Sequence, residues 1–137
     1  MKAISLRQPY AWAVVYGGKD VENRTWRTGY LGAVLIHAAR AWHAIGPAEL
    51  EARMAAKGVR LSVPRDLPRG GIVGVVTITD CVTASDSPWF EGPYGFLLRD
   101  PRPLPFHPCP GSLGLFEVEV AGFPPAQCNN SRPDPCA

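Results

Sequence analysis

An α+β fold, a small mixed β-barrel of five or six strands with two or three helices, is what the sequence predicts. Three observations carry that prediction. Fifteen prolines and fourteen glycines in 137 residues interrupt the chain too often for long helices and favour many turns. The apolar runs are short, and they either alternate with polar residues or are rich in β-branched side chains, as strands are. Helical signals are confined to a few short stretches. With 46% apolar and 19% charged residues, the composition is that of a globular chain long enough to bury one core. A barrel this small has no room for a lumen, so a ligand site has to be a surface cleft made by loops and strand ends.

Lys2 to Leu6 alternate apolar and polar residues and read as the first strand. Pro9 suits the first turn of a helix, where its missing N–H has no partner to lose. Tyr10 to Tyr16 then form a short apolar helix, which Gly17-Gly18 stops by supplying a left-handed residue. Lys19 to Trp26 read as a second strand, with Asp20, Glu22 and Arg24 on one face and Val21 and Asn23 on the other. Gly29 and Gly32 bracket a turn. Ala33 to Ala38 form a continuous apolar strand buried on both faces, interrupted by His37. Pro47 opens a second helix that ends near Gly58, with Leu50 and Met54 on one face and Glu49 paired with Arg53 at i,i+4. Residues 63–69 read as a loop rich in Pro and Arg. Ile72 to Val82 give the strongest strand signal in the chain. Tyr94 to Arg99 and Leu115 to Val120 read as shorter strands, with a proline-rich connection over 101–110. Residues 1–120 thus form one domain, and 121–137 a polar, Pro-rich tail without periodicity.

The net charge of +2 says little, but its distribution says more. Residues 1–70 hold eleven Lys/Arg against five Asp/Glu, or +6, and the rest hold three against seven, or −4. One half therefore offers a positive field, modest beside that of a duplex-binding protein. No apolar run approaches the roughly 20 residues of a membrane span. Arg7, Gln8 and Pro9 stand where a signal peptide needs its apolar region, so a cytoplasmic protein is expected. Cys81, Cys109, Cys128 and Cys136 match no zinc framework, and neither a metal, another cofactor nor a disulfide is expected.

The chemistry is concentrated near the amino end. Gly17-Gly18-Lys19-Asp20-Val21-Glu22-Asn23-Arg24 fits the pattern Gly-x-Lys-x-x-Glu-x-Arg after a short helix. With Leu6-Arg7-Gln8-Pro9-Tyr10-Ala11 before it and Ile36-His37-Ala38 after it, the segment resembles the ASCH domain, a relative of the PUA-like RNA-binding barrels. The resemblance covers roughly residues 1–120. It implies a PUA-like barrel whose cleft, lined by Lys19, Glu22 and Arg24, is suited to RNA or a nucleotide.

The residue types agree with that expectation. Lys19 is a compact cation that can meet a phosphate, or act as a base if desolvated. Arg24 offers a planar fork for a phosphate or a stacking plane for a base. Glu22 can accept from a base amino group or hold the two cations in place. As an ion-pair cluster alone, the three would simply brace the barrel mouth. Arg7, Gln8, Pro9 and Trp12 come from the adjacent strand–helix junction. Gln8 can both donate to and accept from a base edge. Trp12, inside an apolar helix, reads more readily as core than as a stacking face. Trp26, flanked by Arg24 and Arg27, is the better stacking candidate. Tyr94, between glycines, is a secondary wall residue. Trp42 and Trp89 either line the cleft or cap the core. His37 is either a core histidine satisfied by a backbone carbonyl or a cleft residue. Ser112 reads as a turn residue.

Three functions of different class follow. The first is a module that binds RNA, single-stranded nucleic acid or a free nucleoside or nucleotide, holding the phosphate with Lys19 and Arg24. The second is a small hydrolase, an amidohydrolase or ribonuclease acting on acylated cytidine or RNA, with Lys19 and Glu22 as its catalytic pair. Some ASCH-like proteins resemble such amidohydrolases, with a Thr where this chain has Glu22. That hydroxyl nucleophile cannot be carried over, and water activated by Lys19 beside Glu22 or Asp80 would have to replace it. Glu22 close to Lys19 would also favour the ammonium and oppose its use as a base. Binding is therefore the preferred reading. A protein adaptor using the proline-rich 101–110 segment is a third, and a membrane partner is not expected.

Overall fold

The computed structural model describes residues 1–119. In chain order it contains β1 (Lys2–Leu6), α1 (Tyr10–Tyr16), β2 (Val21–Arg24), β3 (Gly32–Ala38), α2 (Pro47–Ala55), β4 (Gly71–Val82), β5 (Tyr94–Pro108) and β6 (Leu115–Glu117). Six strands and two helices make the α+β class that the sequence predicts. The strands form one sheet in the order β2-β5-β4-β3-β1-β6. Only β1 and β3 run parallel, and every other neighbouring pair is antiparallel.

The sheet curls into a half-barrel. Register shifts interrupt the β3–β4 pairing at Ile36/His37 and the β4–β5 pairing in three places, and each such irregularity bends the strands and increases their twist. The curl brings β2, at one edge of the sheet, back to β1. An Nη2 donor of Arg24 on β2 bonds the carbonyl oxygen of Ser5 on β1 at 2.9 Å, although β5, β4 and β3 separate these strands in the sheet.

The short helix α1 packs against β1, β3, β4 and β5. Its apolar sequence serves two sides. Val14 and Val15 join Ile4, Val34, Ile36, Val76, Ile78 and Phe96 inside the curl. Ala13 faces a second cluster with Val21, Leu50, Met54, Val63, Leu67 and Trp89, which seats α2. Gly74 permits the close approach of α1 to β4, since a Cβ there would lie 2.7 Å from a Val15 methyl. On the other side of the sheet Leu35 packs with Ala3, Ile72 and Val118. β3 is therefore covered on both faces, as its uninterrupted apolar sequence requires.

Four details differ from the sequence reading. Pro9 is the residue before the first helical turn, not within it, and it follows a cis peptide bond. The second strand is limited to Val21–Arg24. The proline-rich segment is not a connection: residues 101–108 continue β5. Its free side explains why. β2 pairs only with Tyr94–Leu97, so from Pro101 onward β5 is bonded to β4 alone. Prolines on such a half-free strand sacrifice no ladder bond on the open side. Finally, Glu49 and Arg53 form no ion pair among the described residues. Glu51 is the paired acid of α2, with both its oxygens on Arg65 at 3.0 and 3.2 Å and one also accepting from the Val63 N–H at 2.7 Å. The tail at 121–137, with Cys128 and Cys136, and the end of the last expected strand lie outside the described residues. Cys81 and Cys109 are free thiols. No helix among the described residues is long and apolar enough to cross a membrane.

Candidate functional site

The end of α1 delivers Lys19 to the site. Gly18 takes φ +76°, a left-handed conformation that glycine adopts without steric cost. It turns the chain so that the N–H groups of Gly17 and Lys19 both reach the Ala13 carbonyl, at 2.9 and 3.0 Å. Lys19 is consequently folded under the helix with only 5% of its surface exposed. Its ammonium donates to the Val21 carbonyl and to Glu22 Oε1, the latter at 3.0 Å. It also lies 5.7 Å from the centre of the Tyr10 ring.

β2 then places Glu22 and Arg24 on one face by the two-residue alternation of a strand. Glu22 holds both cations. Its Oε2 accepts from Arg24 Nε at 2.9 Å while Oε1 takes the lysine. Arg24 spends a second donor on Ser5 and keeps the remainder of its fork. The motif thus forms a chain Lys19–Glu22–Arg24 that also ties the open side of the half-barrel together.

A hollow of about 460 Å³ opens beside this chain, within the usual range for small-molecule sites. Arg7 and Leu6 border it at the end of β1, and Trp26 at the end of β2. Arg53 and Met54 of α2 and His43 of the preceding loop enter from another side, with Tyr10 at the start of α1. Asn23 organises the last wall: its Oδ1 accepts from the N–H groups of Glu91 and Gly92, at 2.7 and 3.0 Å, and its Nδ2 donates to the Trp89 carbonyl at 2.9 Å. Trp26 is half-buried, edge-on to Phe96 at 5.2 Å, with the Arg24 guanidinium 5.9 Å from its ring. Tyr10 meets His43 edge to face at 4.9 Å. Burial pushes the Tyr10 hydroxyl up from its ordinary value; the charge of Arg53 opposes that, and Glu91 and Glu22 reinforce it. His43 Nδ1 accepts from the Ile45 N–H at 3.0 Å, so the neutral ring carries its proton on Nε2 as a donor.

The hollow therefore brings together Arg7, Lys19, Glu22, Arg24 and Trp26 from the sequence-predicted set. It does not include Gln8, Pro9, Trp12, His37 or Tyr94. Gln8 is buried, with Nε2 on the Pro68 carbonyl and Oε1 accepting from the Trp12 N–H, each at 2.9 Å. That second bond stands in for the helix cap that Pro9 cannot give, so the amide has structural partners at both ends. Trp12 packs in the α2 cluster. Tyr94 is half-buried and lies beneath the Arg27 guanidinium at 5.7 Å. His37 is 2% exposed. Its Nε2 faces the Cys109 carbonyl at 2.8 Å and its Nδ1 faces Ser5 Oγ at 2.9 Å. A carbonyl can only accept, so Nε2 is the protonated nitrogen. Asp80 is exposed, accepts from the Cys81 N–H and is not in the hollow. Of the loop tryptophans, Trp89 borders the hollow while Trp42 sits under Arg69.

Sequence reasoning missed Tyr10, Asn23, His43, Arg53 and Glu91. Tyr10 and Asn23 lay in the segment already singled out. His43, Arg53 and Glu91 come from three distant stretches, and no local pattern joined them. Among the described residues no group of three His, Cys, Asp or Glu side chains could hold a metal ion.

Residues 4–97 match the family model described as the ASCH domain. Over 111 residues the chain is 29% identical to Activating signal cointegrator 1 of Homo sapiens, covering 74% of this chain and 19% of that protein. Over 84 residues it is 32% identical to Activating signal cointegrator 1 of Mus musculus, covering 58% and 14%. The match thus takes in less than a fifth of either relative's length. Two crystal structures of ZmASCH from Zymomonas mobilis, a Tyr-to-Phe and a Ser-to-Ala mutant protein, share the fold with TM-scores of 0.51 and 0.52. They are 19% and 18% identical and cover 86% of this chain, with 89% and 87% of theirs covered.

Proposed function

The chain belongs to the ASCH domain family, and from that premise we propose that it binds RNA or single-stranded nucleic acid by taking one nucleobase and its phosphate into the hollow. The observation that carries this reading is the contrast between committed and free cations around one cavity. Lys19 and part of Arg24 are neutralised by Glu22, whereas Arg7 and Arg53 are exposed and pair with no carboxylate among the described residues. A guanidinium without a carboxylate can take a phosphate in two-point fashion, Arg53 with the donors left beside its hydrogen bond to the Tyr10 hydroxyl. Trp26 supplies the stacking plane, and its T-shaped contact with Phe96 holds it in place. His43 Nε2 and the remaining lone pairs of Glu22 provide a donor and acceptors for a base edge. Splaying a single base into such a pocket is the usual way a folded domain reads unpaired RNA.

The hydrolase reading draws less support from the geometry. The Lys19 ammonium already donates to two acceptors, and both Glu22 oxygens already accept from cations. Neither group is poised to take a proton from water.

The test is equilibrium binding of a single-stranded RNA of about eight nucleotides, a length within the usual single-strand site size, at two salt concentrations. Affinity falls as salt rises. Trp26→Ala weakens binding by about 1–3 kcal/mol, the worth of one stacked base. Salt-independent binding, or full affinity in Trp26→Ala, overturns the proposal.

A further inference from the structure

We infer that a second anion subsite lies at the lip of the hollow, built by Arg40 and Arg69 with Trp42 and continuous with Arg7, and that it takes the phosphodiester of a neighbouring nucleotide. The inference rests on the hollow as a nucleotide site and extends the ligand from one nucleotide to a chain.

Three loops are knitted together there. The Ala39 N–H bonds the Leu6 carbonyl at 2.9 Å, the His43 N–H bonds the Gln8 carbonyl at 2.8 Å, and the Gly70 N–H bonds the Ala38 carbonyl at 2.7 Å. Gln8 adds its side-chain bond to Pro68. His43 borders the hollow, and its chain neighbour Trp42 carries the Arg69 guanidinium over its ring.

Arg40 and Arg69 are joined through the loop backbone. Arg69 Nη1 donates to the backbone carbonyl of Arg40, and its guanidinium lies 5.4 Å from the Trp42 ring centre. Arg40 lies along Gly70, where a Cβ would come within 3.4 Å of its Cγ and 3.9 Å of its Cζ. Gly70 has φ +83°, so glycine is favoured at that position on backbone grounds as well. All three arginines are exposed, and none has a carboxylate within 4 Å among the described residues. Asp66 is the acid of the 63–69 loop and pairs with none of them.

Two exposed arginines on joined loops, with no carboxylate beside either, leave a local positive charge uncompensated, and an ordered guanidinium loses less freedom when it binds. Both features suit a site that is completed by an anion. Arg69 retains Nε and Nη2 as donors, and Arg40 retains its whole fork. A backbone phosphate is the anion that a nucleotide seated in the hollow would carry past Arg7.

The experiment compares two ligands, a single-stranded RNA of about eight nucleotides and a mixture of the four nucleoside monophosphates, on three proteins. These are the unaltered chain, the Arg40→Gln/Arg69→Gln double variant and Trp26→Ala, with folding checked by denaturant midpoint. In the double variant RNA affinity falls at least about tenfold, and the salt slope shrinks by about 0.7, the value for one single-strand phosphate. Monophosphate binding stays as it was. If the double variant keeps the full RNA affinity and slope while Trp26→Ala weakens both ligands, the second subsite is wrong and the hollow stands. If Trp26→Ala weakens neither ligand, the hollow is wrong and the subsite falls with it.

Discussion

Two polar clusters interrupt the apolar interior of this molecule, one on each side of Ser5. Lys19, Glu22 and Arg24 meet beside the hollow, and Arg24 reaches the Ser5 carbonyl. His37 meets the Ser5 hydroxyl and the Cys109 carbonyl on the other side, against Phe116. Each looks equally chemical in the sequence. They differ in what is left over. Both ring nitrogens of His37 are engaged, the ring is 2% exposed, and Gly111 packs so closely on it that a Cβ there would lie 2.8 Å from Cε1. The first cluster keeps spare donors and acceptors and borders a cavity. A buried polar residue therefore points to function only when some of its hydrogen-bonding capacity remains unspent next to open space.

The largest effect is expected at Glu22. Glu22→Gln removes the one carboxylate shared by a nearly buried lysine and an arginine. Stripping a buried charge of its partner is strongly destabilising, and a loss of about 3 kcal/mol is expected in urea denaturation. RNA binding falls with it, because Arg24 is released from its place beside Trp26. A variant of unchanged stability would show that Lys19 does not depend on Glu22. A smaller effect is expected at His37. His37→Ala leaves the Ser5 hydroxyl and the Cys109 carbonyl without their partner, at a cost of about 1–3 kcal/mol, while RNA affinity of the folded protein stays the same. A fall in affinity without loss of folded protein would give His37 a binding role after all.

Much of this was legible in the chain, and the reasons are local. The spacing of Glu22 and Arg24 placed them on one strand face, and Gly18 marked the turn that tucks Lys19 beneath α1. The double burial of β3 followed from its unbroken apolar run. What was not legible depended on distant partners. The role of Gln8 is set by a carbonyl sixty residues away, at Pro68. Whether prolines 101, 103, 105 and 108 break a strand depends on where the neighbouring β2 ends, which their own segment does not record. Arg53 looked like the partner of Glu49 because i,i+4 spacing permits it, yet its neighbour Met54 is buried next to the hollow and carries Arg53 to the rim.

One hollow, and not the rest of the surface, is proposed to receive the nucleotide. The four indole N–H resonances of this protein report on it directly in a ¹⁵N-labelled sample titrated with mixed nucleoside monophosphates. Trp26 and Trp89 border the hollow and their signals shift, while Trp12, packed under α2, stays in place. A titration that moves Trp12 and leaves Trp26 unchanged would contradict the account.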